Sequence, residues 1–138
     1  ATQTIFAVIN PANTAGNFIG GASGSIALGV TATGNLDLQI TNVIGLGGST
    51  ALLATNTWVQ VNTSYDSNAF SYRIARTADI SGISAHTATQ PQTGLGWNGS
   101  APNLDFNGRM AELIVYNTKL TLSQIQAVEA YLLAKWGV

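Results

Sequence analysis

Cysteine is absent from this chain of 138 residues, and charge is scarce: 5 Lys or Arg and 6 Asp or Glu make up 8% of the sequence. Without cysteine there are no thiolate nucleophiles, disulfides or cysteine zinc sites. An ordinary globular domain carries roughly 25% charged residues. A net charge of −1 leaves no basic surface for nucleic acid, and no apolar run approaches the ~20 residues that cross a bilayer. We therefore expect neither a nucleic-acid partner nor a membrane partner.

Hydrophobic residues make up 46% of the sequence, which predicts a folded chain. The length fits a single domain over 1–138. Six runs rich in β-branched and aromatic residues are separated by Gly, Asn, Ser and Pro, as in an all-β protein. The predicted strands are 4–9, 25–31, 36–41, 58–65, 69–76 and 109–116.

Two of these runs predict a hairpin. The run 58–65 alternates apolar and polar residues, as in a strand with one face buried, and 69–76 follows it. Between them stand Asp66, Ser67 and Asn68, three residues that favour turns. The glycine-rich segment 45–48 is predicted to be a loop.

The last twenty residues change to helical periodicity. Thr121 and Gln124 have the spacing of a capping box, and Gly137 supplies a C-terminal stop. We expect an amphipathic helix over about 121–136, packed on the β body through one apolar stripe. That stripe consists of Leu122, Ile125, Val128, Leu132 and Trp136.

Two segments near the end, FNGRMAELIVYN at 106–117 and VEAYLLAKWG at 128–137, now carry a resemblance. The chain resembles the concanavalin A-like lectin/glucanase superfamily, in the laminin-G-like form common in phage and bacterial surface proteins. TIFAVINP at 4–11 and NTWV at 56–59 are similar to its earlier strands. The resemblance implies an antiparallel two-sheet β-sandwich, a jelly roll, with one C-terminal α-helix packed on it.

Relatives in that superfamily usually have a further strand before the position of Thr4, so the resemblance places the first strand at or near a sheet edge. The edge residues would be Thr4, Ile5, Phe6, Ala7, Val8 and Ile9. Lysine is the usual protection of such an edge, and the chain has only Lys119 and Lys135. We therefore expect this strand to pair with a second copy or with another protein.

The acidic residues do not predict an enzyme. The glucanases of the superfamily need two carboxylates on neighbouring positions of one strand. The six acids are Asp37, Asp66, Asp79, Asp105, Glu112 and Glu129, and none has another within four residues. We expect Glu112 to form an ion pair with Arg109 or Lys119, and the single histidine, His86, to be a surface residue of a Ser/Thr-rich loop.

Relatives that bind calcium use Asp carboxylates at one rim of the sandwich, which makes Asp66 and Asp105 the residues to compare. Calcium needs six to eight oxygen ligands, and neither residue lies in an acidic loop. We expect no metal and no cofactor.

A sugar would need an aromatic ring and nearby hydrogen-bonding side chains. Trp97, between glycines, with Asn98 and Asn103 is the possible glycan site. Trp58 and Trp136 are expected in the core, because one opens a strand and the other ends the helix stripe.

Two functions follow. The first is a non-enzymatic structural protein, a virion component that decorates or cements the capsid or tail of a tailed phage through protein contacts. The alternative is a carbohydrate-binding module, such as a receptor-binding head, located outside the cell or on its surface.

Overall fold

The computed structural model describes residues 2–12, 16–20, 24–40, 44–84, 87–89, 94–95 and 105–138. Trp97, Asn98, Asn103 and His86 lie outside the described residues. In chain order, the described residues form ten strands and one helix. They are β1 (Thr2–Pro11), β2 (Gly16–Gly20), β3 (Ile26–Val30), β4 (Asn35–Ile40), β5 (Ile44–Leu52), β6 (Val59–Asp66), β7 (Ala69–Ile74), β8 (Thr77–Ile83), β9 (Gly94–Leu95), β10 (Gly108–Tyr116) and α1 (Leu122–Trp136).

The strands form two antiparallel sheets, which confirms the all-β sandwich expected from the sequence. Sheet A has the order β10-β1-β6-β7-β8, and sheet B has the order β5-β4-β3-β2-β9. The hairpin at Asp66 is also confirmed, because Asp66 pairs with Ala69 across a two-residue turn in which Ser67 has φ 58°.

The expectation that residues 4–9 form an edge is wrong. β1 pairs with β6 on one side, where Ala7 faces Val61, and with β10 on the other, where Ala7 faces Leu113. The strand that covers the expected edge comes from the far end of the sequence. Backbone groups of Thr4, Ile5, Phe6, Ala7, Val8 and Ile9 are therefore occupied within the chain, and the outer strands of sheet A are β10 and β8.

β1 buries both of its faces. Ile5, Ala7 and Ile9 belong to the core between the two sheets. Phe6 and Val8 point to the opposite face of sheet A, where they pack with Ile125 and Leu132 of α1. The molecule thus has three layers, sheet B, sheet A and the helix, and sheet A lies in the middle.

The helix begins and ends as expected. Thr121 and Gln124 form the capping box, and Gly137 adopts a left-handed conformation, φ 76°, while its N–H donates to Leu133 O. Ile125 and Leu132 are buried, but the two ends of the expected stripe, Leu122 and Trp136, are exposed, since the helix extends beyond the surface that it covers. In the part of the chain that the structure describes, no helix has the length and hydropathy of a membrane span.

A buried polar contact lies between the helix and β6. The carboxylate of Glu129, which is 2% exposed, accepts hydrogen bonds from Arg73 Nε at 2.7 Å and Asn62 Nδ2 at 2.8 Å. The expectation that only one face of the strand at 58–65 is buried is therefore wrong. Its polar face is buried as well, under the helix.

The structure departs from the predicted elements at two segments. Segment 45–48 lies within β5, where irregular pairing with β4 and a φ of 120° at Gly47 accommodate the glycines. The predicted strand 69–76 ends at Ile74, because Ala75 and Arg76 form a two-residue turn, φ 47° and 67°, into β8. β2, β8 and β9 were not predicted.

The docking of the helix predicts different effects for two adjacent leucines. Leu132→Asp places a charge where the side chain is 0% exposed, so we expect the free energy of unfolding to fall by about 4 kcal/mol or more. Leu133→Asp is the control: it has the same chemistry in the same helix turn, at a side chain that is 40% exposed. Urea denaturation of both variants measures the difference, and equal losses would contradict the packing of Leu132 against sheet A.

Candidate functional site

Two of the three tryptophans meet at a cleft on the helix-covered face of sheet A. The cleft has a volume of about 160 Å³ and is lined by Val8, Trp58, Ala111 and Trp136. Trp58 is 37% exposed and Trp136 is 41% exposed. The expectation that both belong to the core is wrong, because they stand where the cover of the helix ends.

A β-bulge makes room for this cleft. Opposite Val8 and Ile9, β10 carries one extra residue: Val8 pairs with Glu112 and Ile9 pairs with Met110, which leaves Ala111 without a partner in the ladder. Bulges bend a strand and redirect its side chains. Here the redirected residue is small, so the floor of the cleft is open between the two indole rings.

Glu112 holds one wall of the cleft in place. Its carboxylate accepts hydrogen bonds from Trp136 Nε1 at 2.6 Å and from Tyr131 Oη at 3.0 Å, and it forms an ion pair with Lys135 Nζ at 3.1 Å. The expected pairing with Arg109 or Lys119 is wrong, because the end of α1 brings Lys135 over β10. These donors, the indole first, lower the pKa of Glu112 below its ordinary value of 4.5.

Arg109 is a third charged residue of this region, beside Glu112 and Lys135. Its guanidinium carbon lies 5.7 Å from the centroid of the Trp58 ring, within the range of a cation–π contact. Arg109 itself is exposed on β10. The second wall of the cleft therefore combines an indole with a positive charge at the surface.

Gln60 lies next to the cleft and is 1% exposed. It pairs with Val8 across the ladder, and Trp58 precedes it by two residues. Both amide atoms, Nε2 and Oε1, find no hydrogen-bond partner among the described residues. A buried amide in that state costs stability unless a water or ligand satisfies it.

Two larger depressions lie elsewhere on sheet A, with volumes of about 260 and 300 Å³. Neither is lined by tryptophan. The larger depression is lined in part by the exposed Leu122 and by Arg73, which forms an ion pair with Glu129. The tryptophan cleft is thus the best candidate for recognising a ligand that presents an apolar face.

The residues compared with calcium sites do not form a metal centre. Asp66 accepts a hydrogen bond from Thr2 Oγ1 at 3.0 Å beside the hairpin turn, and Asp105 is exposed. Over the described ranges, no three His, Cys, Asp or Glu side chains lie together as a metal ion requires. The absence of a metal and of a cofactor stays a prediction.

The cleft also lacks the arrangement for glycoside hydrolysis. That chemistry normally uses two carboxylates on either side of the bond to be cleaved. None of the four residues that line the cleft is acidic, and the carboxylate bonded to one of them belongs to Glu112. What the described geometry offers is binding.

Comparison with solved structures confirms the two-sheet jelly-roll fold. Domain 4 of AbnA, a GH43 extracellular arabinanase from Geobacillus stearothermophilus solved in complex with arabinotriose, superposes with a TM-score of 0.71 at 19% identity, over 93% of this chain and 66% of that one. A heptameric SAP-like pentraxin from Limulus polyphemus superposes with a TM-score of 0.74 at 15% identity, over 93% of this chain and 69% of the pentraxin chain.

A third similar structure, a candidate carbohydrate-binding protein from Bacteroides ovatus, gives a TM-score of 0.72 at 18% identity, over 91% of this chain. This chain spans only 40% of the length of that protein. No protein-family model and no curated protein sequence matches the chain. At these identities the similarity establishes the fold, and function has to be argued from the cleft.

The unsatisfied amide predicts that Gln60→Met stabilises the protein. Methionine keeps the length of the side chain and removes two buried polar atoms. We therefore expect the free energy of unfolding to rise by ~1 kcal/mol, which corresponds to a rise of about 3 °C in the melting temperature. Asn62→Leu is the matched control on the same strand and face, and it should lower the melting temperature because it breaks the contact with Glu129. A fall in both variants would mean that the amide of Gln60 is satisfied.

The lowered pKa of Glu112 predicts a pH dependence. A carboxyl whose pKa is lowered by folding contributes stability that is complete above its unfolded pKa and is lost as the pH falls through its folded pKa. The melting temperature of wild type should therefore be higher than that of Glu112→Gln at pH 7, and this difference should disappear as the pH falls below 4.5. Thermal melts of both proteins from pH 7 to pH 2 measure it. A difference in melting temperature that does not change with pH would exclude the charge of Glu112 as its cause.

Proposed function

We propose that this chain is a carbohydrate-binding module without catalytic activity, and that the cleft between Trp58 and Trp136 holds a sugar ring. The observation that carries the proposal is the exposure of two indole rings, 37% and 41%, at one cleft. A sugar ring has apolar C–H faces, and an aromatic ring offers a flat surface for them. Contiguous exposed apolar surface on a folded protein is typical of ligand-binding grooves and interaction sites.

The size of the cleft supports a ligand that inserts only one unit. Pockets that enclose a drug-sized ligand measure roughly 300 to 1,000 Å³, and this cleft measures about 160 Å³. A single sugar ring, with the rest of the chain in solvent, suits that volume. Arg109 and Lys135, which are exposed beside the two indole rings, would supply hydrogen bonds to its hydroxyls.

The comparisons support this class of ligand. The arabinanase domain was solved with arabinotriose, and the Bacteroides ovatus protein is a candidate carbohydrate-binding protein. By the same reasoning we propose a location outside the cell or on its surface. The phage decoration role and self-association stay predictions, and their structural argument, an open edge at residues 4–9, is lost because β10 occupies that edge.

The decisive experiment is a glycan array, followed by calorimetric titration of arabinotriose and of the best array ligand. We expect micromolar binding by wild type. Trp58→Ala and Trp136→Ala should each weaken binding tenfold or more, since the loss of one stacked ring removes about 1.4 kcal/mol. Ala111→Leu should also block the sugar while both indoles remain, which keeps the test valid where a tryptophan variant unfolds.

Two further variants make the result specific. Leu52→Ala, at an exposed apolar side chain of sheet B, should bind like wild type. Trp97→Ala tests the site expected from the sequence with Asn98 and Asn103. If binding depends on Trp97 and not on Trp58 or Ala111, the cleft is the wrong site. If the array shows no sugar bound, the proposed function is wrong.

A further inference from the structure

Charged residues surround the cleft, and not all of them are paired. Building on the proposed function, we infer that the cleft takes an anionic sugar residue, one that carries a carboxylate or a sulfate, and that Arg109 binds the anionic group. The class of ligand follows from which charged residues near the cleft are already paired and which are not.

All six acidic residues of the chain lie within the described ranges. Two of them form ion pairs with basic side chains: Glu129 pairs with Arg73, and Glu112 pairs with Lys135. Arg109 has no acidic group within 4.0 Å in the described part of the chain, and its side chain there contacts the ring of Trp58. Arg109 is therefore a cation without a counter-ion, held at a residue that lines the cleft.

The carboxylate of Glu112 does not cancel this charge. Lys135 neutralises it, and the donors of Trp136 and Tyr131 occupy its oxygens at 2.6 and 3.0 Å. Arg109, Lys135 and Glu112 together carry a net charge of +1 in a chain whose overall charge is −1. The positive charge is thus local, and it lies at the two tryptophans.

Arginine is well suited to an anionic sugar. Its planar guanidinium presents five N–H donors in a fork that matches the two oxygens of a carboxylate or sulfate. The contact with Trp58 restrains the side chain before the ligand arrives, which lowers the entropy lost on binding. A sugar ring between the indoles and an acidic substituent on Arg109 would use both features of one wall.

The test compares charged sugars with neutral sugars of the same stereochemistry. The probes are oligomers of galacturonate, glucuronate and mannuronate, each beside its methyl ester, and carrageenan oligosaccharides beside the same oligosaccharides after desulfation. We expect wild type to bind at least one charged member ten times more tightly than its neutral partner. That preference should fall as salt rises from 50 to 500 mM.

The variant Arg109→Gln should bring the ratio of charged to neutral affinity close to one, and Arg109→Lys should keep part of it. Arg76→Gln, at an exposed arginine of the turn between β7 and β8, should leave the ratio unchanged. The uronate and sulfate pairs decide which anion is preferred. Binding that depends on Trp58 but is equal for charged and neutral sugars would overturn this inference and leave the proposed function intact. No binding to any member overturns both.

Discussion

Sheet A has to bury both of its faces, and the rest of the structure depends on that requirement. β1 alternates between two cores, with Ile5, Ala7 and Ile9 facing sheet B and Phe6 and Val8 facing the helix. Neither face of this sheet can be left in water without exposing apolar surface, because β1 presents apolar side chains on both faces. The C-terminal helix is therefore a structural layer. Its single buried acid, Glu129, binds the polar side chains Arg73 and Asn62 that the sheet presents beneath it.

The candidate site arises where that cover stops. α1 ends at Trp136, where Gly137 adopts a left-handed conformation. Past this point the outer face of sheet A carries Trp58, Val8 and the bulged Ala111, with space between them. The site therefore needs no dedicated loop. It is formed by the end of a helix, a bulge in a strand and the residue before β6.

Local signals in the sequence were enough for the helix, its caps and the hairpin at Asp66, because each depends on residues a few positions apart. They failed where the structure depends on distant pairing or on unusual backbone geometry. The turn that begins β8 uses Ala75 and Arg76 at positive φ, where glycine or asparagine is the ordinary signal. The place of β1 inside sheet A depends on β10. The cleft was not predicted because Trp136 continues the apolar stripe of the helix, and the sequence does not show where the sheet beneath it ends.

The pairing of the first strand with the last has a consequence for how the chain folds. Thr4 Oγ1 donates to the carbonyl of Thr118, 114 positions later, and the N–H of Leu120 returns a hydrogen bond to the same hydroxyl. Contacts over such separations are slow to form, because the chain loses conformational entropy in closing a long loop before the contacts contribute any stability. On a ribosome, β1 cannot make this pairing until β10 has been synthesised. During that interval the strand is open to pairing with other nascent chains. We therefore expect the yield of folded protein to depend on chaperones as well as on the stability of the finished sandwich.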